Sequence, residues 1–484
     1  IRSGNDAAFA MNVSTIFQEN YNLAHTQQRK NKDIPEGGSK GTILLSMEHQ
    51  DKSFVAFKKY VDALLDLLMP DNHIKDYLKD EELLYLGPDE GTADFMDWAS
   101  HHAKERSYKF WKAFTTGKAR SLGGIPHDYY GMTTRSIHQY VLGILEKQGL
   151  DESSITKFQT GGPDGDLGSN EIKISKDKTV GIVDGSGVLF DPEGIDRDEI
   201  TRLAVNRQMT NHFDTSKLSK LGYYIGINET DRVLPDGSEI ESGLIFRNTF
   251  HLKGKYLFGT DLFVPCGGRP AAVNASNVRY LWDEKTNSPM FKYIVEGANL
   301  FFTQEARLQL EKWGVILFKD ASANKGGVTS SSLEVLAALS LNDEEFEEHM
   351  QVKDEIAPKF YEDYVKEVHR IIEHHARNEF NCLWREHKSS QIPLSILSDE
   401  VSEKINQLNT SIFGSSLWEN ASLREKVIAE AVPNNLIELV GLEKLLQRVP
   451  ESYLKAIFGA HLACNFVYNH GLHSGEFGFF EFMQ

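Results

Sequence analysis

The sequence predicts an α/β protein in three regions, and three observations carry that prediction. Between about residues 150 and 335, short β-rich runs alternate with helical stretches, the rhythm of a mainly parallel sheet with helices on both faces. A glycine-bearing loop follows the first of these runs. Beyond about residue 340 the chain becomes charged and helical. At 484 residues it is long enough for two or three domains, and we divide it into 1–145, 146–335 and 336–484.

Each element has its own signal. In the first region, Phe54, Phe57, Val61, Leu64, Leu65 and Leu68 recur at helical spacing from Ser53 to Met69, and Pro70 ends the run. Glu82–Leu86 then reads as a strand emptying into Gly87-Pro88-Asp89. Strands of the second region are expected at Ile155–Gln159, Thr179–Val183, Leu262–Val264, Tyr293–Val295 and Val315–Phe318. A helix-like run, Ser169–Ser175, follows the first strand, and Asp196 is placed to cap another helix. Gly222–Lys255 interrupts the alternation as an inserted hairpin turning at Pro235-Asp236-Gly237. In the third region, helices are expected at Asp343–Met350, Asp354–Arg377 and Pro450–Asn469, with Tyr364, Val368, Ile371 and Ile372 as a buried stripe. The neighbours His374 and His375 face different directions on a helix, so an exposed polar face is the expectation and a metal site is not.

Composition excludes several classes of function. Hydrophobic content of 40% with 25% charged residues is that of a globular chain. A net charge of −18 opposes a nucleic-acid surface, which needs a basic patch. No apolar run reaches the roughly 18–20 residues of a membrane span. Cys266, Cys382 and Cys464 are odd in number and lack metal spacing, which suits a reducing compartment, cytoplasm or mitochondrial matrix. The chain starts at Ile1 without a signal-peptide pattern and reads as part of a longer or processed protein.

Four groups of residues carry candidate chemistry. The first is Gly37-Gly38-Ser39-Lys40-Gly41, where a lysine among small residues is able to approach a substrate closely, and burial would let it work as a base. Such segments are more often surface turns, and the order is not that of a phosphate P-loop. The second is Thr160–Gly168, whose Gly162, Gly165 and Gly168 allow a tight turn, close pyrophosphate approach and tight helix packing. Their G-x-x-G-x-x-G spacing departs from G-x-G-x-x-G. The third is Asp184, which ends the second strand about 20 residues on, where an acid binds the adenosine ribose and repels a 2′-phosphate. Together these predict a Rossmann-like domain preferring NAD to NADP, although a simple turn aspartate is the other reading of Asp184. The fourth comprises three strand-end loops, 265–268, 296–299 and 324–331. There Asn299 and Asn324 offer amides to a carboxamide or ribose, and the hydroxyl run Thr329–Ser332 starts a helix.

In order, these segments resemble the large NAD-dependent glutamate dehydrogenases of the amino-acid dehydrogenase superfamily. Residues 35–41 resemble the family's Gly-Gly-x-Lys-Gly segment and 87–92 its Pro-Asp-x-Gly-Thr segment. Gly117-Lys118-Ala119-Arg120 with Leu122-Gly123-Gly124 resembles its linker into the nucleotide domain. Residues 296–299 and 324–331 resemble its Glu-Gly-Ala-Asn and Asn-x-Gly-Gly-Val-x-x-Ser segments. The resemblance implies an α/β substrate domain, a Rossmann-like domain and a helical C-terminal region, in a homo-oligomer converting glutamate to 2-oxoglutarate and ammonia with NAD. It implies that Lys40, as a neutral amine, activates the water that attacks 2-iminoglutarate, that Asp89 shuttles protons, and that Ser331 binds the distal carboxylate.

One part of the pattern is missing. The family's Lys-Gly-Gly segment, which also holds the distal carboxylate, is expected upstream of Ile1, and Lys30 and Lys32 are poor matches for the lysine that grips the α-carboxylate. A dehydrogenase of another amino acid and a non-catalytic nucleotide-binding regulatory module are the alternatives. Ser331 speaks against the first, and retention of Lys40 with Asp89 against the second.

Overall fold

The computed structural model describes residues 1–31, 40–71, 73–77, 79, 82–88, 92–475, 478–479 and 482. Its centre is a seven-stranded sheet. In chain order the strands are β1 (Thr156–Thr160), β2 (Lys178–Val183), β3 (Gly187–Phe190), β4 (Tyr223–Gly226), the separate hairpin β5 (Thr230–Val233) with β6 (Glu239–Ser242), and β7 (Thr260–Pro265). A two-residue ribbon, β8 (Trp282–Asp283) with β9 (Ser288–Pro289), precedes β10 (Phe291–Val295) and β11 (Ile316–Phe318). Sheet order is β11-β10-β7-β1-β2-β3-β4. The five expected strands are present and pair in parallel; β3 and β4 are additional and join antiparallel, β3 to β2 and β4 to β3.

Alternation along the strands divides two cores. On β7, Leu262 and Val264 enter one core while Phe263, between them, enters the other with Phe158, Phe291 and Ile294. The first core continues through the helices Met132–Gln148, Gly326–Ser340, Lys359–Ser390, Leu394–Phe413 and Glu451–His470, so the C-terminal helices share it with the sheet. The approach is close: a Cβ on Gly143 would lie 2.7 Å from the Phe380 ring. Helices Ser53–Leu68 and Ala93–Glu105 form a smaller core around Val61, Leu65, Ala99, Ala103 and Phe114.

Local differences from the expectations have physical causes. The run Glu82–Leu86 is not a strand: only Leu86 bridges, to Thr115, and among the described residues no segment pairs with Glu82–Tyr85. The 359–390 helix begins five residues later than expected. Asp354 and Glu355 are in left-handed backbone (φ 50° and 61°), and Pro358 stands at the helix start. His374 is exposed against Asn378, but the polar-face expectation fails for His375. It turns inward, where burial and the charge of Lys325 push its pKa well below the ordinary value. The inserted hairpin expected over Gly222–Lys255 forms only over 230–242, with Gly237 at φ 83° in its turn; Tyr223–Gly226 instead joins the central sheet as β4, and 243–257 is helical. Among the described residues, no helix is long and apolar enough to cross a membrane.

Candidate active site

The glycine loop is held by contacts that leave no room for side chains at three of its positions. Gly161 sits at φ 86°, and a Cβ there would lie 2.7 Å from Gly267 N. One on Gly162 would lie 2.4 Å from Asp184 Cβ, and one on Gly168 2.2 Å from Gly162 O. Gly165 differs, since its nearest contact would be an ordinary 3.6 Å, so this glycine faces open space at the start of helix Asp166–Ile174. Gln159 braces the turn, its Nε2 donating to Gly161 O (2.8 Å) and Gly168 O (3.1 Å). The helix begins without a side-chain cap, so its first N–H groups and dipole point at that space. Arg207, absent from the sequence reading, donates to Gly165 O at 3.1 Å from a left-handed backbone (φ 51°). No motif marks it.

Asp184 is buried beside Gly162. Its Oδ1 accepts from Ser186 N (2.8 Å), Ser186 Oγ (2.6 Å) and Gly187 N (3.2 Å), and its Oδ2 from Thr210 N (2.6 Å). The turn role is thus filled in this structure, as the hub of the β2–β3 connection, at a position that also borders the glycine loop.

The other strand-end loops meet at the same carboxyl edge. Asn324 Nδ2 donates to Gly297 O (2.8 Å) and to Asn299 Oδ1 (2.7 Å), which brings the two expected asparagines together. Asn324 Oδ1 is buried with no hydrogen-bond partner among the described residues. Beneath this pair Glu296 is wholly buried and takes a two-pronged hydrogen bond from Arg307 (2.7 and 2.8 Å), which also reaches Asp320 at 3.2 Å. Burial outweighs the arginine and pushes the Glu296 carboxyl up to about 7.

Helix Gly326–Ser340 starts before the hydroxyl run that was expected to cap it. Its first turn is pressed onto the 132–148 helix, where a Cβ on Gly326 would lie 2.2 Å from Met132 O. Thr329 and Ser332 donate back to the carbonyls of Lys325 and Val328, both at 3.1 Å. Ser331 does otherwise. Its Oγ accepts from Thr116 Oγ1 at 3.0 Å and lies 3.2 Å from His127 Nε2.

One turn further, Glu334 fastens the preceding segment. It accepts from Gly117 N (3.0 Å), Ile125 N (2.8 Å) and Lys118 Nζ (2.6 Å). Pro88 packs on Gly117, where a Cβ would meet its Cγ at 3.1 Å and His127 Nε2 at 3.6 Å. Asp89 itself lies outside the described residues.

Lys40 lies at the surface. It is exposed, so the burial expected of it is not provided by the described residues. Asn20 Nδ2 holds its carbonyl at 3.2 Å, and Gly41 abuts the Tyr60 hydroxyl. These contacts tie the backbone to the 6–28 and 53–68 helices at the surface. Gly37, Gly38 and Ser39 lie outside the described residues.

A parallel sheet that gathers a glycine loop, an acid and an amide pair at its carboxyl edge has the architecture of the dinucleotide-binding α/β class. The chain belongs to the Glutamate/Leucine/Phenylalanine/Valine dehydrogenase family, whose profile matches residues 123–390. It is 64% identical over all 484 residues to Glutamate dehydrogenase 2 of Dictyostelium discoideum. To the NAD-specific glutamate dehydrogenase of Neurospora crassa it is 52% identical over 492 aligned residues, covering 100% of this chain. The chain spans 46% of each of these relatives, under half their length. The fold is also similar to a crystal structure of hetero-hexameric glutamate dehydrogenase from Thermus thermophilus in a leucine-bound form. That match has a TM-score of 0.52 over 78% of this chain and 73% of the other, at 17% identity.

Proposed function

We propose that this chain is the catalytic region of an NAD-dependent glutamate dehydrogenase, oxidising L-glutamate to 2-oxoglutarate and ammonia and running the reverse reaction. The observation that carries the reading is a convergence at the carboxyl edge of the sheet. There the glycine loop and the Asn299–Asn324 pair lie at strand ends, and the helix that follows Asn324 carries Ser331, which accepts from Thr116. Identity of 64% along the whole chain to a glutamate dehydrogenase supports the substrate class.

The residues present fit the cofactor. Gly165 leaves space before uncapped N–H groups that suit a pyrophosphate, and the buried acceptor Asn324 Oδ1 awaits a donor such as a carboxamide or ribose hydroxyl. In this reading Gly162, Gly165 and Gly168 hold the phosphates, Asp184 faces the ribose, and Asn299 with Asn324 orients the nicotinamide end. Bound NAD would supply the acceptor for hydride from the substrate Cα. The chain's own groups do the rest: Ser331 holds the distal carboxylate, Asp89 moves protons at the amino nitrogen, and Lys40 activates the water that adds to 2-iminoglutarate.

We read residues 1–145 as the substrate domain, 146–335 as the NAD-binding domain and 336–484 as a helical region. A homo-oligomer in a reducing compartment, cytoplasm or mitochondrial matrix, suits this reading and the three buried free thiols. Steady-state formation of NADH from NAD tests the proposal. Glutamate is expected to be the preferred substrate, and Lys40→Ala and Asp89→Asn to lower kcat by about 10²–10⁴-fold. Preference for leucine, or full activity in Lys40→Ala, would overturn it.

A further inference from the structure

We propose that His127 is a specificity-determining residue of the Ser331 site, supplying the positive charge and second donor that select a substrate with a distal carboxylate. The inference rests on the glutamate dehydrogenase reading and deepens it. His127 is a titratable group that the structure brings to Ser331 Oγ, at 3.2 Å.

The geometry begins with how the ring is held. His127 follows Ile125, whose N–H is tied to Glu334 Oε2 at 2.8 Å. Glu334 and Ser331 lie three residues apart, on one face of the same helix. The anchor that fixes the backbone near His127 is therefore carried on the same face as the serine that the ring addresses. Nε2 comes to 3.2 Å from Ser331 Oγ, while Thr116 Oγ1 donates to that oxygen at 3.0 Å. Both ring nitrogens are flanked by glycine. A Cβ on Gly117 would come to 3.6 Å from Nε2, and one on Gly327 to 3.6 Å from Nδ1. Larger residues there would cover the ring edges.

The hydrogen-bond arithmetic gives this arrangement its selectivity. Ser331 Oγ already accepts from Thr116, so its own proton goes outward. A histidine with a bare Nε2 takes that proton. A histidine carrying a proton on Nε2 cannot accept it, and the serine proton is then released to a ligand. A carboxylate arriving at Ser331 meets two donors, Ser331 Oγ–H and His127 Nε2–H, and with imidazolium a full charge. A neutral side chain gains no charge-assisted bond, which is roughly twice as strong as a neutral one. The nearby cation Lys118 does not compete for the role, because its Nζ is buried against Glu334 Oε1 (2.6 Å) and Thr115 O (2.8 Å).

The test compares wild type, His127→Ala and His127→Gln with glutamate and with norvaline, which keeps the α-amino and α-carboxylate groups but lacks the distal one. NADH affinity is followed by fluorescence as a check on the fold. For His127→Ala we expect the glutamate-to-norvaline ratio of kcat/KM to fall roughly 10–100-fold, chiefly through KM for glutamate. His127→Gln, which restores a neutral donor, should recover part of that loss, with NADH affinity within about twofold of wild type in both. An unchanged ratio in His127→Ala overturns the assignment, and so does an equal loss for both substrates, which marks a purely structural role. A wild-type chain that does not oxidise glutamate overturns the enzyme reading and this assignment together, so the two failures are distinguishable.

Discussion

The buried pair Lys118–Glu334 offers a quantitative check on how the candidate site is fastened. Its side chains are 0% and 1% exposed, and Glu334 accepts three hydrogen bonds, from Lys118 Nζ, Gly117 N and Ile125 N. Glu334→Leu leaves an ammonium buried with only Thr115 O and strips two N–H groups of their acceptor. Lys118→Met leaves a buried carboxylate with two backbone donors. Removing one partner of a buried pair costs about 3–5 kcal/mol, so each single variant should lose that much.

The double variant Lys118→Met/Glu334→Leu buries no charge and orphans only Gly117 N, Ile125 N and Thr115 O, a cost of about 2–4 kcal/mol after relaxation. The sum of the singles should therefore exceed the double by at least about 2 kcal/mol. Urea unfolding of the four chains, followed in parallel by tryptophan fluorescence and circular dichroism, measures this. Coupling below about 0.5 kcal/mol, the level of independent sites, would refute the reasoning.

Two further predictions concern the loop and pH. Gly168→Ala must displace Gly162 O, which would stand 2.2 Å from the new Cβ, so stability and NADH affinity should fall together. Gly165→Ala meets nothing closer than 3.6 Å and should keep its stability while losing NADH affinity roughly tenfold. Equal effects at both positions by melting temperature and fluorescence titration would count against the loop assignment. For His369, burial first and the Arg135 guanidinium second push the pKa from 6.5 down to about 4. The unfolded chain takes this proton first on acidification. The associated stability is therefore complete above about pH 6.5 and lost as pH falls through about 4. Allowing for its half-exposed ring, wild type should lose about 1–2 kcal/mol more than His369→Asn between neutral pH and about pH 4. Parallel urea midpoints for the two chains across that range would contradict this.

How much of this was legible in the sequence depends on the reach of each interaction. Four of the five parallel strands contain apolar runs near a glycine, and β1 is a β-rich run that opens into Gly161, local signals in each case. β3 was missed because Gly187-Val188-Leu189-Phe190 is only four residues long; of its two partners, β2 lies just across a tight turn and β4 beyond a helix and two turns. Glu82–Leu86 failed in the opposite sense: it has strand composition but only one pairing neighbour. At the site, Gly162, Gly165, Gly168, Asn299 and Asn324 were found because glycine and amide signals sit next to strand ends. The approach of His127 to Ser331 spans 204 residues, and the pairing of Lys118 with Glu334 spans 216. No periodicity encodes contacts of that length. Even so, the segment resembling a domain linker marked Lys118, one side of the second contact. His375 shows the converse: it follows Ile372 by three residues and Ile371 by four, so the periodicity already put it on the stripe expected to be buried.

The two halves of the candidate site are built on different energetics, and this separates what their substitutions should do. Around Ser331 the polar groups are buried, so each must be satisfied or cost about 1–3 kcal/mol, which is why Glu334 meets three donors. A change to Glu334 or to one of its three donors acts through stability and disturbs every function of the site at once. Lys40 is exposed, and its backbone carbonyl accepts from Asn20 Nδ2. Replacing its side chain should leave unfolding within about 0.5 kcal/mol of wild type, as for other surface positions. A loss of turnover in Lys40→Ala with unchanged urea unfolding would therefore report chemistry alone. The same loss accompanied by destabilisation would mean that Lys40 is packed in the working protein by contacts these residues do not supply.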